Sequence, residues 1–309
     1  MAVPVREAST DGAFAPDRVT SPLGPAKYAA VGDPIARAAG RAEPFLRWVG
    51  GKRWLIPKLR FLIGGRSFSE YREPFLGGGS VFFGLAPTCP STLSDTNADL
   101  VETFRAIRDS PEAVARQVQE HENEAAYYYR LRDSRPADEV GRAARFIFLN
   151  RTSFNGVHRV NQRGEYNVPF GYKANPKIPG TDELIRASEA LAGVALLSMD
   201  FEASLDALPT GGLAYLDPPY TVAHDNNGFI KYNERLFTFA DQERLAVALA
   251  ALDERGCYYL LSNAHHESIH ALFGGPGRRI LEVERRNSVG GGGATRGSAK
   301  EHLITNLPA

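Results

Sequence analysis

The four residues Asp217-Pro218-Pro219-Tyr220 bring a carboxylate, two prolines and an aromatic ring directly after the apolar residues 212–216. Because proline has no backbone N–H, this turn cannot continue a central strand, and its carbonyl groups point away from the sheet. A carboxylate beside a free carbonyl can accept both hydrogens of an amino group, and tyrosine offers a face for stacking. The pattern indicates a binding place for the exocyclic amine of a planar heterocycle. A tight Pro-Pro turn with a solvent-facing aspartate is the alternative.

A glycine-rich segment, Pro74-Phe75-Leu76-Gly77-Gly78-Gly79-Ser80, follows a short strand signal and precedes an apolar helical start. Adjacent glycines let a backbone approach a ligand that a side chain would block. The segment resembles a nucleotide-binding loop, but Phe82 stands at the third glycine position of G-x-G-x-x-G, which disfavours a dinucleotide site. An ordinary glycine turn between strand and helix is the alternative.

Two further segments carry groups that could contact a ligand. Asp95 ends a second strand signal about 20 residues after the glycines, an offset at which an acid accepts hydrogen bonds from ribose hydroxyls. Either Asp95 or Asn97 could instead cap the helix that begins near Asp99. Upstream, Trp48-Val49-Gly50-Gly51-Lys52 combines a ring, two glycines and a cation. A buried tryptophan beside a loop is the alternative there.

In this order, Trp48-x-Gly-Gly-Lys52, Pro74-Phe75-x-Gly-Gly-Gly-Ser80, Asp95 and Asp217-Pro-Pro-Tyr220 resemble the DNA adenine-N6 methyltransferases of the Dam type (D12 class, alpha group). Residues 148–161 and 163–171 are similar to the target-recognition hairpin of that family, and residues 285–296 are similar to its C-terminal segment. The resemblance runs from about Pro44 to the C-terminus and leaves out residues 1–43.

The resemblance implies methyl transfer from S-adenosyl-L-methionine to N6 of a flipped-out adenine, with no metal. In that reaction, the Asp217 carboxylate and the Pro218 carbonyl would accept the N–H groups of the amine, while Tyr220 stacks on the base. Asp200, which could also simply cap a helix, would flank the adenine ring of the cofactor. The cofactor contacts implied are Trp48, Lys52, Phe75, Gly77, Gly79, Asp95, Asp200 and Asp217.

The same resemblance assigns four residues to DNA. Arg159 would read a guanine edge, since a guanidinium fits O6 and N7 together. Arg47 is a second candidate at a position where the family more often has lysine. Phe154 matches a position where the family places an aromatic wedge, with Asn155 beside it; packing in a hairpin core is the alternative for Phe154. Similarity of this hairpin to Dam implies a GATC-like target.

The charge distribution agrees with a DNA-binding face although the formal net charge is zero. Residues 141–177 hold seven basic side chains against the single acid Glu165, interleaved with aromatic residues. Such a block suits phosphate contacts and base stacking. A solvated basic hairpin is the alternative reading.

Strand signals alternate with helical periods along the chain, which predicts a mostly parallel sheet. Residues 241–255 have leucines at helical spacing. We expect an α/β, Rossmann-like S-adenosylmethionine-dependent methyltransferase sheet with an inserted helical and β-hairpin DNA-binding domain. The expected domains are a flexible extension at 1–43, a catalytic domain at 44–100 and 179–309, and a target-recognition domain at 101–178. The strand signals lie at 69–73, 92–94, 194–198, 213–216, 257–261, 279–283 and 302–305, the last two pairing with each other.

Composition sets the remaining expectations. Of 309 residues, 43% are apolar, enough for a large core, and the two cysteines argue against a disulfide framework. No apolar run is long enough to cross a membrane. We expect a cytoplasmic, monomeric protein whose partner is double-stranded DNA, with a cognate restriction enzyme as a further partner. The alternatives are an RNA or protein methyltransferase using the same amine site, a non-catalytic DNA-binding module and a nicotinamide oxidoreductase.

Overall fold

The computed structural model describes residues 42–161, 163–221, 237–286 and 298–309. All but the last two residues of the expected N-terminal extension, 1–43, lie outside this range. So do residues 287–297, which carry most of the C-terminal motif that resembles the family. Within the described ranges, no helix is both long enough and apolar enough to cross a membrane.

Within the described residues, seven strands form a single sheet in the order β3-β2-β1-β4-β5-β7-β6. Strands β1 to β5 are parallel, whereas β7 runs antiparallel to both β5 and β6. Each strand signal of the sequence falls on one of them, and the last two pair as expected. The strands are β1 (Tyr71–Glu73), β2 (Ser91–Asp95), β3 (Ala195–Ser198), β4 (Leu213–Leu216), β5 (Tyr258–Ala264), β6 (Arg279–Arg286) and β7 (Ser298–Thr305).

Helices cover both faces of this sheet, as parallel strands require. They are α1 (Ile56–Ile63), α2 (Ser80–Leu85), α3 (Ala98–Asp109), α4 (Pro111–Gln119), α5 (Ala125–Asp133), α6 (Glu139–Thr152), α7 (Thr181–Leu191), α8 (Phe201–Asp206), α9 (Phe239–Glu254) and α10 (Glu267–Phe273). The predicted helix at 241–255 is α9, which begins two residues earlier because Thr238 caps it: the Thr238 hydroxyl accepts from the Asp241 N–H at 3.2 Å.

The alternation of side chains along β4 divides the core in two. Leu213 and Tyr215 pack into a large core with α1 to α4, α6 and α7, whereas Ala214 and Leu216 face a second core with α8, α9 and α10. All four side chains are buried, as expected for the middle of a doubly covered sheet. The expected Rossmann-like architecture is therefore present.

The predicted recognition hairpin is less regular than expected. Between α6 and α7, the described residues make two isolated antiparallel bridges, Ser153 to Phe170 and Val160 to Tyr166, and no longer ladder. Asn155 (φ 55°) and Gly156 (φ 65°) are both left-handed and form a short 3-10 turn, which interrupts any regular ladder. We call residues 153–161 and 163–171 the recognition segment. The division into 101–178 and the surrounding residues stays a prediction, because α3, α4 and α6 share the large core with the sheet.

Candidate active site

A cavity of about 830 Å³ lies at the carboxyl ends of the parallel strands, beside the point where the strand order reverses between β1 and β4. Ligands bind at this place in open α/β sheets. Of the predicted catalytic and cofactor residues, only Gly79 does not line this cavity. Those that do are Trp48, Lys52, Phe75, Gly77, Asp95, Asp200, Asp217, Pro218 and Tyr220.

Asp217 follows the last residue of β4, and one of its oxygens is firmly held. Its Oδ1 accepts a hydrogen bond from the Ser262 hydroxyl at 2.8 Å and pairs with the Lys52 ammonium at 2.9 Å. Ser262 lies on the neighbouring strand β5, and the Tyr215 hydroxyl is 3.2 Å from the Ser262 hydroxyl. Among the described residues, Oδ2 has no hydrogen-bond partner. The side chain keeps 20% of its surface exposed and lines the cavity.

Lys52 is almost completely buried, with 4% of its side chain exposed. Besides Asp217, its ammonium contacts the Gly50 carbonyl at 2.9 Å and the Glu301 carboxylate at 3.7 Å, and it lies 4.9 Å from the centre of the Tyr220 ring. A buried ammonium needs such partners, because burial without them is costly. Lys52, Asp217 and Glu301 therefore form a cluster of one basic and two acidic side chains, which we call the charge cluster.

The glycine segment is tied to the end of β2 by Asp95. The Asp95 carboxylate accepts from the Gly77 N–H at 3.0 Å and from the Asn97 N–H at 3.0 Å. Burial raises the pKa of Asp95, although these hydrogen bonds oppose the rise. The helix cap is Asn97, whose side chain accepts from the Leu100 N–H at 3.1 Å. Asp95 thus holds the glycine segment and lines the cavity, whereas Asn97 caps the helix.

Close packing explains the glycines. A Cβ on Gly77 or Gly78 would come within 2.8 Å of the Trp48 side chain. Gly79 has a φ of 67° and adjoins Phe83 and Phe104, so its role is to pack the loop onto the core. Gly79 is therefore packed against Phe83 and Phe104 and does not line the cavity, and its predicted contact with the cofactor stays a prediction.

Trp48 connects the glycine segment with the recognition segment. Its ring stacks on His158 at 5.4 Å between centroids, and His158 stacks in turn on Phe146 at 5.2 Å. Burial lowers the pKa of His158 to about 4, so the imidazole is neutral at neutral pH. His158, Val157 and Val160 also line the cavity, so one of its walls is built by the recognition segment.

Asp200 does cap a helix, since its side chain accepts from the Glu202 N–H at 3.0 Å at the start of α8. It also pairs with Arg244 at 3.0 Å, and the Arg244 guanidinium lies 4.9 Å above the Phe201 ring. Phe201 stacks on Phe75 at 5.5 Å. Capping and cavity lining therefore hold together for Asp200, at an aromatic end of the cavity.

A second buried carboxyl, Glu73, lies at the end of β1 and accepts from the Tyr71 hydroxyl at 2.8 Å. Burial raises the pKa of Glu73 to about 8, so most of it is protonated at neutral pH. Glu73 therefore adds little charge to the cavity under those conditions.

The predicted DNA residues lie outside the cavity and on the surface. Phe154 is 56% exposed, so it is not part of a hairpin core. Asn155 beside it is also exposed and occupies the left-handed turn. The exposed Arg159 donates through Nε to the Asn167 side chain at 2.8 Å, which directs its guanidinium. Arg47 is exposed and packs against Gly156. The Asn150 side chain accepts from the Arg47 backbone N–H and donates to the Arg47 carbonyl, each at 2.8 Å.

Sequence reasoning missed four residues of this site: Ser262, Glu301, His158 and Arg244. Glu301 stood one residue before the strand signal at 302–305, and its only signal was an acid next to an apolar strand. Ser262 likewise follows directly on the signal at 257–261. Their side chains reach Asp217 and Lys52 only through the register of β5 with β4 and β7.

Similarity to known proteins agrees with this geometry. Residues 48–289 match the family model described as D12 class N6 adenine-specific DNA methyltransferase. The type II methyltransferase M1.LlaDCHI of Lactococcus lactis subsp. cremoris is 34% identical over 274 residues, which span 85% of this chain and 95% of that protein. The DNA adenine methylase of Escherichia coli strain K12 is 30% identical over 271 residues, with the same two coverages. The DNA N-6-adenine-methyltransferase of Escherichia phage P1 is 31% identical over 280 residues, which span 87% of this chain and 36% of that protein.

Proposed function

Because the chain belongs to the D12 class of N6-adenine-specific DNA methyltransferases, we propose that it transfers a methyl group from S-adenosyl-L-methionine to N6 of an adenine flipped out of double-stranded DNA. One observation carries this proposal: Asp217 is fixed through Oδ1 by Lys52 and Ser262, which leaves Oδ2 for a ligand. A carboxylate held in this way is a preorganised acceptor for an amino group.

The groups that line the cavity suit the methyl donor. A volume of about 830 Å³ is within the usual range for ligands of this size. Phe75 and Phe201 offer ring faces at one end, while the Asp95 and Asp200 carboxylates can accept from hydroxyl and amino groups. The glycine segment gives close backbone access beside Trp48. When bound, S-adenosyl-L-methionine supplies an electrophilic methyl group on a sulfonium.

The Asp-Pro-Pro-Tyr turn would activate the adenine amine, a poor nucleophile because its lone pair is delocalised into the ring. Accepting its two N–H bonds at Asp217 Oδ2 and the Pro218 carbonyl draws the nitrogen toward tetrahedral geometry and frees the lone pair. Methyl transfer is an in-line displacement, for which alignment supplies much of the rate. Asp217 then stabilises the positive charge that develops on nitrogen, while the Tyr220 ring stacks on the base.

An adenine inside a duplex cannot reach this turn, so it must be flipped out at a cost of a few kcal/mol. The exposed residues of the recognition segment suit this task. Phe154 can fill the space that the base leaves, with Asn155 beside it. Arg159, directed by Asn167, can bind a guanine edge, and Arg47 lies on the same face through its contact with Gly156.

We extend the proposal to the organisation of the protein. Residues 101–178 are the target-recognition part, and residues 44–100 and 179–309 are the catalytic part. The similarity of the recognition segment to Dam supports a GATC-like target. The enzyme acts as a monomer, and the likeness to proteins named type II methyltransferases supports a role beside a restriction enzyme.

The test is methyl transfer from tritiated S-adenosyl-L-methionine to duplex DNA, RNA and protein, followed by sequencing of the methylated positions. We expect label on adenine of duplex DNA at one short sequence. Asp217→Ala should abolish the label while the fold is kept, and Asp206→Ala, at an exposed acid at the end of α8, is the matched control. Label on RNA or protein instead of DNA, or turnover of Asp217→Ala within about threefold of the original protein, would reject the proposal.

A further inference from the structure

Glu301 is a buried carboxylate in the C-terminal hairpin with only 9% of its side chain exposed. It lies on β7 opposite Ala264 of β5, and so it reaches the cavity from the side opposite the glycine segment. A buried carboxylate is costly unless it is paired or hydrogen-bonded. Its partners therefore indicate what it does.

Both partners of Glu301 belong to the proposed reaction site. Its Oε2 accepts a hydrogen bond from the Tyr220 hydroxyl at 2.8 Å and lies 3.7 Å from the Lys52 ammonium. Burial raises the pKa of Tyr220 well above its ordinary value, so the phenol stays protonated and donates this bond. The hydroxyl end of the Tyr220 ring is thereby fixed to β7, while its backbone is fixed by the proline turn.

The second contact changes the charge at Asp217. With Asp217 alone, the Lys52 ammonium would form a neutral pair and weaken the carboxylate as an acceptor. Since Glu301 lies within 3.7 Å of the same ammonium, that one ammonium faces two carboxylates and does not pair with Asp217 alone. Charge beside the low-dielectric interior of a protein is screened less than charge in bulk water, so the second carboxylate strengthens Asp217 as an acceptor.

Stability alone is a weak explanation for this arrangement. Buried ion pairs contribute little net stability, and well-packed apolar residues of similar volume often replace them without loss. A carboxylate that adds a second negative charge to an existing ion pair is more costly still. Its hydrogen bond to a ring that faces the cavity points to a role in the reaction.

We propose that Glu301 is a positioning residue for methyl transfer, which holds the Tyr220 ring against the target base and keeps the Lys52 charge shared between two carboxylates. This inference rests on the proposed function. It adds that the C-terminal hairpin, through one side chain, sets both the geometry and the charge of the Asp-Pro-Pro-Tyr turn.

Three variants separate the two effects. Glu301→Gln keeps an oxygen that can accept from Tyr220 but removes the charge. Glu301→Ala removes both, and Tyr220→Phe removes only the hydroxyl. Glu284→Gln is the matched control, since it removes an exposed carboxylate from the adjacent strand β6. Each variant is the full chain, with its folding checked by circular dichroism and thermal unfolding.

Two measurements are made on a duplex that contains the mapped target site. The first is the single-turnover rate of methyl transfer. The second is the fluorescence of 2-aminopurine placed at the target position, which is bright when the base is flipped and is quenched when an aromatic ring stacks on it. The fluorescence needs no methyl transfer, so it reports ring positioning independently of activity.

We expect Glu301→Gln to slow methyl transfer by about ten- to a hundredfold, as for loss of one charge interaction, with fluorescence unchanged. Glu301→Ala should have a still lower rate of methyl transfer and a higher 2-aminopurine fluorescence. Tyr220→Phe should also have a higher fluorescence, with a smaller loss of rate. Glu284→Gln should match the original protein in both.

Each part of the inference can be overturned separately. A Glu301→Gln rate within about twofold of the original protein overturns the charge role, and unchanged fluorescence in Glu301→Ala and Tyr220→Phe overturns the ring role. If Glu301→Ala fails to fold, Glu301→Gln and Tyr220→Phe decide. If the original protein does not methylate adenine in DNA, the proposed function is wrong. That outcome is distinct from the results that overturn the role of Glu301.

Discussion

Replacing Lys52 by methionine should destabilise the protein in the absence of any ligand. Methionine preserves most of the side-chain volume but removes the only cation that the described residues place between Asp217 and Glu301. The Asp217 and Glu301 carboxylates, which both contact this ammonium, are then left without that counter-charge. Breaking a buried pair in this way costs about 3–5 kcal/mol. Because Asp217 is 20% exposed and partly hydrated, we expect about 3 kcal/mol, at the lower end of this range.

For a chain of 309 residues, a loss of that size lowers the melting temperature by about 5 °C, which leaves a measurable folded state. The assay is urea and thermal unfolding at neutral pH. Lys177→Met is the matched control, because its ammonium pairs with Glu183 at 3.2 Å but is 71% exposed. An exposed pair of that kind contributes about 0–1 kcal/mol.

A double-mutant cycle tests the cause. If uncompensated charge is responsible, adding Glu301→Gln to Lys52→Met should restore part of the stability, with a coupling free energy of at least ~1 kcal/mol. Additive effects, or a loss from Lys52→Met no greater than that from Lys177→Met, would refute the charge cluster as described. Lost packing alone would lower stability without any coupling to Glu301.

Three other predictions test separate parts of the site. Because the pKa of His158 is lowered to about 4, the folded protein should lose stability as pH falls from about 6.5 toward 4. The variant His158→Phe keeps a ring in the stack but cannot be protonated. In urea titrations it should lose about 2 kcal/mol less stability than the original protein between about pH 7 and pH 5. Asp95→Ala should weaken S-adenosyl-L-methionine binding by ~1–3 kcal/mol in calorimetry, and an unchanged affinity would remove Asp95 from the binding site. Arg159→Ala should reduce discrimination against the wrong base by ~1–3 kcal/mol. Arg163 is also exposed, and Arg163→Ala should weaken binding to all duplexes alike. If Arg159→Ala slows methylation equally on every duplex and loses about one unit of salt slope, Arg159 contacts the DNA backbone and not a base.

The sheet could be predicted from the sequence because acidic residues mark the points where apolar strands end. Asp95 and Asp217 each follow an apolar run, and parallel strands place their carboxyl ends at one edge. Alternating strands and helices were enough to infer that edge. The motifs also predicted the family, which the matched residues 48–289 confirm.

Contacts that depend on strand register could not be predicted. Ser262 reaches Asp217 because β5 pairs with β4, and Glu301 reaches Tyr220 because it lies opposite Ala264. A shift of one residue in β7 would turn Glu301 to the other face of the sheet. No local pattern fixes that register, since the eleven residues 287–297 between β6 and β7 are too many for a two-residue hairpin turn to set it.

The recognition segment forms isolated bridges and not a regular hairpin ladder, and the reason is local. Asn and Gly tolerate left-handed backbone conformations, and the Asn155-Gly156 pair uses two of them in succession. The resulting turn exposes Phe154 and packs Gly156 against Arg47. A search for hairpin turn residues would have found this pair, but not that the flanking residues make only isolated bridges.

The arrangement of the site explains why its residues come from such distant parts of the chain. An acceptor with one free oxygen is useful only if the other oxygen is held, because a mobile carboxylate would lose the alignment on which the reaction depends. Lys52 comes from the segment before α1 and Ser262 from β5, and Glu301 of β7 holds the ring beside Asp217. The recognition segment adds the remaining wall through His158, stacked on Trp48. Because Trp48 is also packed against the glycine segment, the recognition segment and the cavity wall share this side chain.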